Sequence, residues 1–177
     1  MNNVRMGEMV VSARAGDELA VIGLGSCIGL ALIDPGADVV ALAHVVLPES
    51  QGADGPPGKF GDLVVPAMLR LLDGAGANRR RLQAVLVGGA RMFSLGSIGD
   101  IGARNTIAVR AALKSAAIRI HSEDVGGNRG RTARIVVGQT LTVQLAGGER
   151  RTLLDLSSPA ATIARPRGTP GLAGAKL

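Results

Sequence analysis

Apolar positions follow two different rhythms along the chain, and the places where the rhythm changes mark out its elements. Residues 5–11 and 20–22 carry short apolar runs that read as strands, with a polar loop at 14–18 between them. Two longer apolar runs, 28–33 and 39–46, flank Asp34-Pro35-Gly36-Ala37-Asp38, a turn composition that predicts a hairpin. Residues 48–58 hold three prolines and three glycines and read as a loop. From Lys59 the period lengthens: Phe60, Leu63, Val64, Ala67, Met68 and Leu71 recur at helical spacing and form one apolar face. Pro66 interrupts that face, and a helix-interior proline costs about 3 kcal/mol, so a kink or a late helix start is expected. Residues 82–87 form a buried-type strand ending in Gly88-Gly89-Ala90, and 91–100 form a loop carrying Phe93. A second helix is predicted over 103–117 with Ile107, Ala108, Ala111 and Ala112 inward. A strand at 118–122 follows, then a tight hairpin whose arms, 132–137 and 140–145, flank Gly138-Gln139.

Strands outnumber helices, so the predicted class is α+β: a single domain over residues 1–156, with a β-sheet or sandwich core and flanking helices. Past residue 150 the chain turns Pro-, Ser- and Arg-rich, and 157–177 reads as a disordered basic tail.

Composition narrows the function classes. Apolar residues make up 46% of 177 and charged residues 19%, which suits a globular domain with a sizeable core. Aromatics are 1%, so Val, Ile, Leu, Ala and Met must fill that core. The net charge of +6 comes mainly from scattered arginines, with Arg79-Arg80-Arg81 the densest run. Without tyrosine or tryptophan platforms for base stacking, the charge argues against nucleic acid and for an anionic protein partner. The uncharged stretch 19–33 is shorter than the ~20 residues of a membrane helix and is broken by three glycines, so no membrane insertion is expected. A lone cysteine excludes an internal disulfide and a multi-cysteine zinc site, and it suits a reducing cytoplasm. No metal site is expected, since His121, Glu123 and Asp124 lack a second histidine nearby. No cofactor is expected either: Gly88-Gly89-Ala90 and the glycines of 124–131 lack P-loop and dinucleotide spacing.

The remaining chemistry gathers at Cys27 and His44. Cysteine is often only a small buried hydrophobe. Here, however, Gly23 and Gly25 weaken the strand and leave bare backbone beside the thiol, where N–H groups could serve an oxyanion. In a hairpin turning about Gly36, Cys27 and His44 oppose each other to within one position. Direct opposition sets Cβ atoms roughly 4.5–5.5 Å apart, close enough to pair a thiol with a base. A thiol beside an imidazolium is expected to ionise at unusually low pH.

Six segments in order carry a resemblance: Gly23-Leu-Gly-Ser-Cys27, Asp34-Pro35, Ala43-His44 with Leu47-Pro48, Gly88-Gly-Ala90 with Met92-Phe93, Ile101-Gly-Ala-Arg-Asn105, and Asp124-Val-Gly-Gly-Asn-Arg-Gly-Arg131. Together they resemble the CheD family, the chemoreceptor glutamine deamidases of bacterial and archaeal chemotaxis. The resemblance implies a cofactor-free Cys–His hydrolase of the toxin-deamidase-like type, a protein-glutamine glutaminase acting on a linear amide. It implies Cys27 as nucleophile and His44 as base, with backbone N–H groups of Ser26 and Cys27 for the oxyanion. Phe93 is a candidate contact to substrate or partner. The implied partners are the cytoplasmic helices of chemoreceptors and a CheC-type phosphatase, met by a monomeric cytoplasmic protein. One position departs: the family usually carries threonine six residues before the cysteine as a third catalytic group, and here Val21 stands there. A backbone carbonyl, Ser26 or Ser12 is then left to orient His44. The alternative is a weakly active or inactive binding module that regulates the phosphatase.

Overall fold

Across the residues that the computed structural model describes, 1–91 and 100–157, ten strands and two α-helices form. In chain order they are β1 (Asn2–Asn3), β2 (Met9–Ser12), β3 (Glu18–Leu24), β4 (Ile28–Asp34), β5 (Val39–Val45), α1 (Gly61–Gly74), β6 (Gln83–Gly88), α2 (Ile101–Ser115), β7 (Arg119–Val125), β8 (Arg131–Val136), β9 (Thr140–Leu145) and β10 (Arg150–Asp155). One sheet has the order β1-β3-β8-β9-β10 and the other β2-β5-β4-β6-β7. The architecture is α+β, with two mixed five-stranded sheets and two helices in one domain.

Two apolar layers hold it together. Val21, Leu24, Ala31, Ile33, Leu42, Val85, Ile135 and Val143 interleave between the sheets. Leu30, Leu32, Ala41 and Leu86 point the other way, onto Val64, Met68, Val109 and Leu113 of the helices. β4 and β5 are therefore buried on both faces, which is why they read as continuous apolar runs. Within these strands alternate residues serve different layers, so side-chain parity decides which residues meet between the sheets.

The hairpin between β4 and β5 runs in register from Asp34↔Val39 to Ile28↔Val45. Its turn contains four residues, 35–38, closed by Asp38 in the left-handed region at φ 53°. The fully buried Asp34 carboxylate fixes its base. It accepts two hydrogen bonds from Arg81, both at 2.7 Å, and one each from the N–H of Asn78 (2.7 Å) and Gly36 (3.0 Å). Burial alone would raise this carboxyl, but Arg81 and the two N–H groups outweigh it and hold the pKa below 3.8. Asp34→Ala is expected to destabilise the fold by about 2–4 kcal/mol, because Arg81 and two amide donors lose their acceptor. Urea unfolding should show this gap undiminished at neutral pH. It should narrow only below pH 3.8, where the wild-type carboxylate itself becomes protonated.

Several predicted elements differ. The first long strand starts at Met9, not residue 5; residues 4–8 instead form a bridge between the sheets. Val4 N–H donates to Ala20 O, Gly7 N–H to His44 O, and His44 N–H to Glu8 O. α1 runs unbroken through Pro66, which lies on the exposed face where the carbonyl it leaves unpaired can reach water. α2 is rotated from the expected face: Ile107 is 64% exposed, while Asn105, Thr106, Val109 and Leu113 are buried. The polar pair is tolerated inside because both have partners, Thr106 Oγ1 donating to Gly102 O and Asn105 to two carbonyls described below. β10 was not expected, since only Leu154 of its six residues is buried. The expected tail falls almost wholly outside the described residues.

Candidate active site

Cys27 ends a three-residue bend, 25–27, between β3 and β4. Every carbonyl in this bend is held. Ala90 N–H donates to Gly25 O (2.8 Å), Gly89 N–H to Cys27 O (2.8 Å), and Asn105 Nδ2 to Ser26 O (2.9 Å). The close approach demands Gly88, at φ 118°, since a Cβ there would lie 2.2 Å from Cys27 O. The glycines read from sequence as backbone turns are thus the seat of the cysteine bend.

His44 lies on β5 opposite Gly29 of β4. Cys27 precedes Gly29 by two residues, so it shares the inter-sheet side with His44 and packs against that core. The expected opposition to within one position is corrected to a diagonal offset of two residues. The four-residue turn is centred between Gly36 and Ala37, so the register position of Cys27 faces Val46 instead. Diagonal neighbours sit roughly 7–8 Å apart at the backbone, within reach of an imidazole. A slip of one residue would have sent His44 to the helix side. Cys27 and His44 line one cavity of about 350 Å³ together with Asn3, Val4, Arg5, Met6, Ile22 and Gly23. Two larger grooves, about 630 Å³ beside α1 and α2 and about 900 Å³ beside Gly89 and Gly126, are lined by neither histidine nor cysteine.

The buried imidazole has one fixed end and one free end. Nδ1 lies 3.4 Å from Val4 O, a long contact that favours a proton on Nδ1. Nε2 is buried without a hydrogen-bond partner among the described residues, Cys27 included. Burial pushes the His44 pKa below 6.5, partly offset by the Val4 carbonyl. Burial pushes the Cys27 thiol above 9.0, partly offset by the residue's own N–H. Burial thus favours the neutral form of each group, the opposite direction from the low-pKa thiol expected from sequence. Both groups are desolvated and no hydrogen bond joins them to stabilise the charges. Iodoacetamide alkylation of Cys27 should follow a midpoint above pH 9.0; a plateau reaching down to neutral pH would show a preformed thiolate instead.

The other expected residues fall as follows. Val21 is fully buried in the inter-sheet core and does not line the cavity. Ser12 Oγ donates to Asp17 (2.7 Å), and Ser26 offers its carbonyl to Asn105. Of the candidates to orient His44, the group at Nδ1 is a backbone carbonyl, that of Val4. Phe93 lies outside the described residues. His121 is exposed on β7.

A sequence model of the family described as CheD chemotactic sensory transduction matches residues 46–148, more than half of the chain. The chain belongs to the CheD family. A probable chemoreceptor glutamine deamidase CheD from Symbiobacterium thermophilum is 47% identical over 154 residues, spanning 82% of this chain and 93% of that protein. The chemoreceptor glutamine deamidase CheD of Thermotoga maritima is 40% identical over 149 residues, covering 83% and 94%. A probable CheD deamidase from Archaeoglobus fulgidus is 39% identical over 150 residues, covering 82% and 94%. Sequence reasoning singled out Cys27 and His44 of this CheD-family chain but not Val4, and it gave Asn105 no role beyond its place in one segment of the resemblance. Val4 acts through its backbone, which leaves no signal. Asn105 did leave one, a polar residue one helical turn from Val109 on the buried face.

Proposed function

We propose that this chain hydrolyses glutamine side-chain amides of chemoreceptors to glutamate and ammonia, with Cys27 as nucleophile and His44 as base. The observation that carries this reading is the shared cavity, in which a half-buried thiol sits beside an imidazole with a free Nε2. The deamidase names of its relatives supply the substrate class.

A pair whose burial favours the neutral forms fits a base-assisted attack. When the amide enters and displaces water, Nε2 takes the Sγ proton as sulfur bonds to the amide carbon. The N–H groups of Ser26 and Cys27 receive the developing oxyanion; the pinned carbonyls of the bend keep those amides from turning away. Imidazolium returns the proton to the leaving nitrogen, releasing ammonia and a thioester. His44 then deprotonates water, which attacks the thioester carbon, and the proton passes to sulfur as glutamate departs. Glutamine becomes an anion on a receptor helix, a charge change able to bias a two-state signalling element. No described helix is long and apolar enough to cross a membrane, and a cytoplasmic site of action follows from the receptor surface it would modify.

The test is mass spectrometry of a receptor cytoplasmic fragment incubated with the protein. Amide-to-acid conversion with matching ammonia release is expected. Binding of the fragment without conversion would overturn the reading and leave a binding module.

A further inference from the structure

The β4–β5 ladder stops at Ile28↔Val45, although the next pair in register is Cys27 and Val46. Beyond that point β5 turns away: the N–H groups of Val46 and Leu47 both donate to Lys59 O. The missing rung is supplied from outside the sheet. Asn105 Nδ2 donates to Ser26 O at 2.9 Å and to Val46 O at 3.0 Å, spanning the open end of the hairpin with one amide. A reversed amide would aim Oδ1 at two carbonyl oxygens, so the hydrogen bonds themselves fix its orientation.

The base of this bridge is rigid. α2 begins against the same backbone that seats the cysteine bend, since a Cβ on Gly102 would lie 2.5 Å from Gly89 O and 2.7 Å from Ala90 O. Asp100 caps the helix by accepting from Ala103 N–H (3.0 Å). Asn105 is fully buried, and its Oδ1 has no partner among the described residues, so its polarity serves the two carbonyls alone.

We infer that Asn105 is a positioning residue that sets the separation of Cys27 from His44 by tying the residue before the thiol to the strand end just past the imidazole. The inference rests on the reading of Cys27 and His44 as nucleophile and base. Without the amide, two buried carbonyls lose their donor, and the cysteine bend and the end of β5 are free to part. Proton transfer between diagonal neighbours is sensitive to that gap, and a misplacement of about 1 Å costs about 100-fold in rate.

The experiment compares wild type with Asn105→Leu, which keeps side-chain bulk but removes both donors. Asn105→Ser, which opens space instead, serves if the leucine variant does not fold. Val109→Ala, on the same buried face of α2, is the control for helix destabilisation alone. On a receptor fragment, below the melting temperature of every variant, kcat of Asn105→Leu should fall about 100-fold with KM little changed. Its pH profile should lose the acid limb set by His44. Val109→Ala should keep both kcat and the limb. An Asn105 variant with wild-type kcat and pH profile overturns the inference, as does a Val109→Ala control that loses both equally.

A second readout needs no substrate, so it separates this inference from the functional reading. Carboxamidomethylation of Cys27 should displace the His44 ring resonance in wild type, His121 serving as internal reference, and the displacement should be lost in the Asn105 variant. Equal displacements in both proteins, or none in wild type, overturn the positioning role. Failure of wild type to deamidate, with the resonance behaving as expected, overturns the functional reading instead.

Discussion

Cys27→Ala should abolish receptor deamidation, and His44→Ala should lower kcat by about a thousandfold or more while KM stays close to wild type. The two losses have different origins. Without sulfur no thioester forms. Without the imidazole the thiol stays protonated at neutral pH, because burial pushes its pKa above 9.0 and no other base among the described residues lines the cavity. The pH dependence carries a further signature. His44 must be neutral to take the proton, and burial holds its pKa below 6.5. The acid limb of kcat/KM should therefore lie below pH 6.5, and His44→Ala should remove it. Linkage gives the matching stability effect. An unfolded chain protonates this histidine from about pH 6.5 downward while the folded one resists. The contribution of neutral His44 is thus present above 6.5 and lost as pH falls through the folded value. A limb centred above 6.5, or a His44→Ala protein with near-native kcat, would remove the base role.

Gly88→Ala should lower both stability and turnover, although residue 88 lines no part of the cavity. The added methyl would lie 2.2 Å from Cys27 O and 3.3 Å from Leu24 Cβ, and a φ of 118° is strained for any residue with a side chain. The backbone strain costs about 1–3 kcal/mol before the clash is counted. Relief must come from moving the cysteine bend away from β6, breaking the Gly89 N–H bond to Cys27 O and shifting the thiol. A displacement near 1 Å predicts about a 100-fold loss in kcat. Gly74→Ala is the contrast: at the end of α1 nothing lies within 4 Å of the new methyl, and melting temperature and kcat should stay near wild type. Circular dichroism melts and ammonia release measure both quantities. A Gly88→Ala protein with native kcat would mean that the bend tolerates displacement.

How much of this could be read from the chain depends on which physical signal each part leaves. The hairpin was legible because Asp34-Pro35-Gly36 stops one apolar run and Val39 starts another. Its register was not, because turn composition does not distinguish a four-residue loop from a shorter one, and each residue of loop moves the pairing. The face of α2 was misjudged because apolarity was taken as the mark of burial. Ile107 is more hydrophobic than Asn105, yet Asn105 has two buried carbonyls to satisfy and Ile107 has open solvent. β10 escaped because a strand with a bulge between Thr152 and Leu154 and one buried side chain shows no period of two. Cys27 and His44 stood out because thiol and imidazole are scarce in this composition, and parity then delivered them to the same side of the sheet.

The acceptor at His44 Nδ1 has a consequence for how such a site can drift. A side-chain acceptor is erased by one codon change, whereas the oxygen at residue 4 belongs to the main chain and survives any replacement of Val4 that keeps the segment in place. Scanning substitutions one at a time would pass over it, and so would any comparison of amino-acid identities. What that oxygen depends on is the path of the first eight residues, pinned where Val4 meets Ala20 and where Gly7 and Glu8 bracket the histidine's own backbone. Selection acting on the imidazole's tautomer can therefore be met by the shape of a chain segment. Val21, six residues before the thiol, lies in the inter-sheet core and takes no part in that contact.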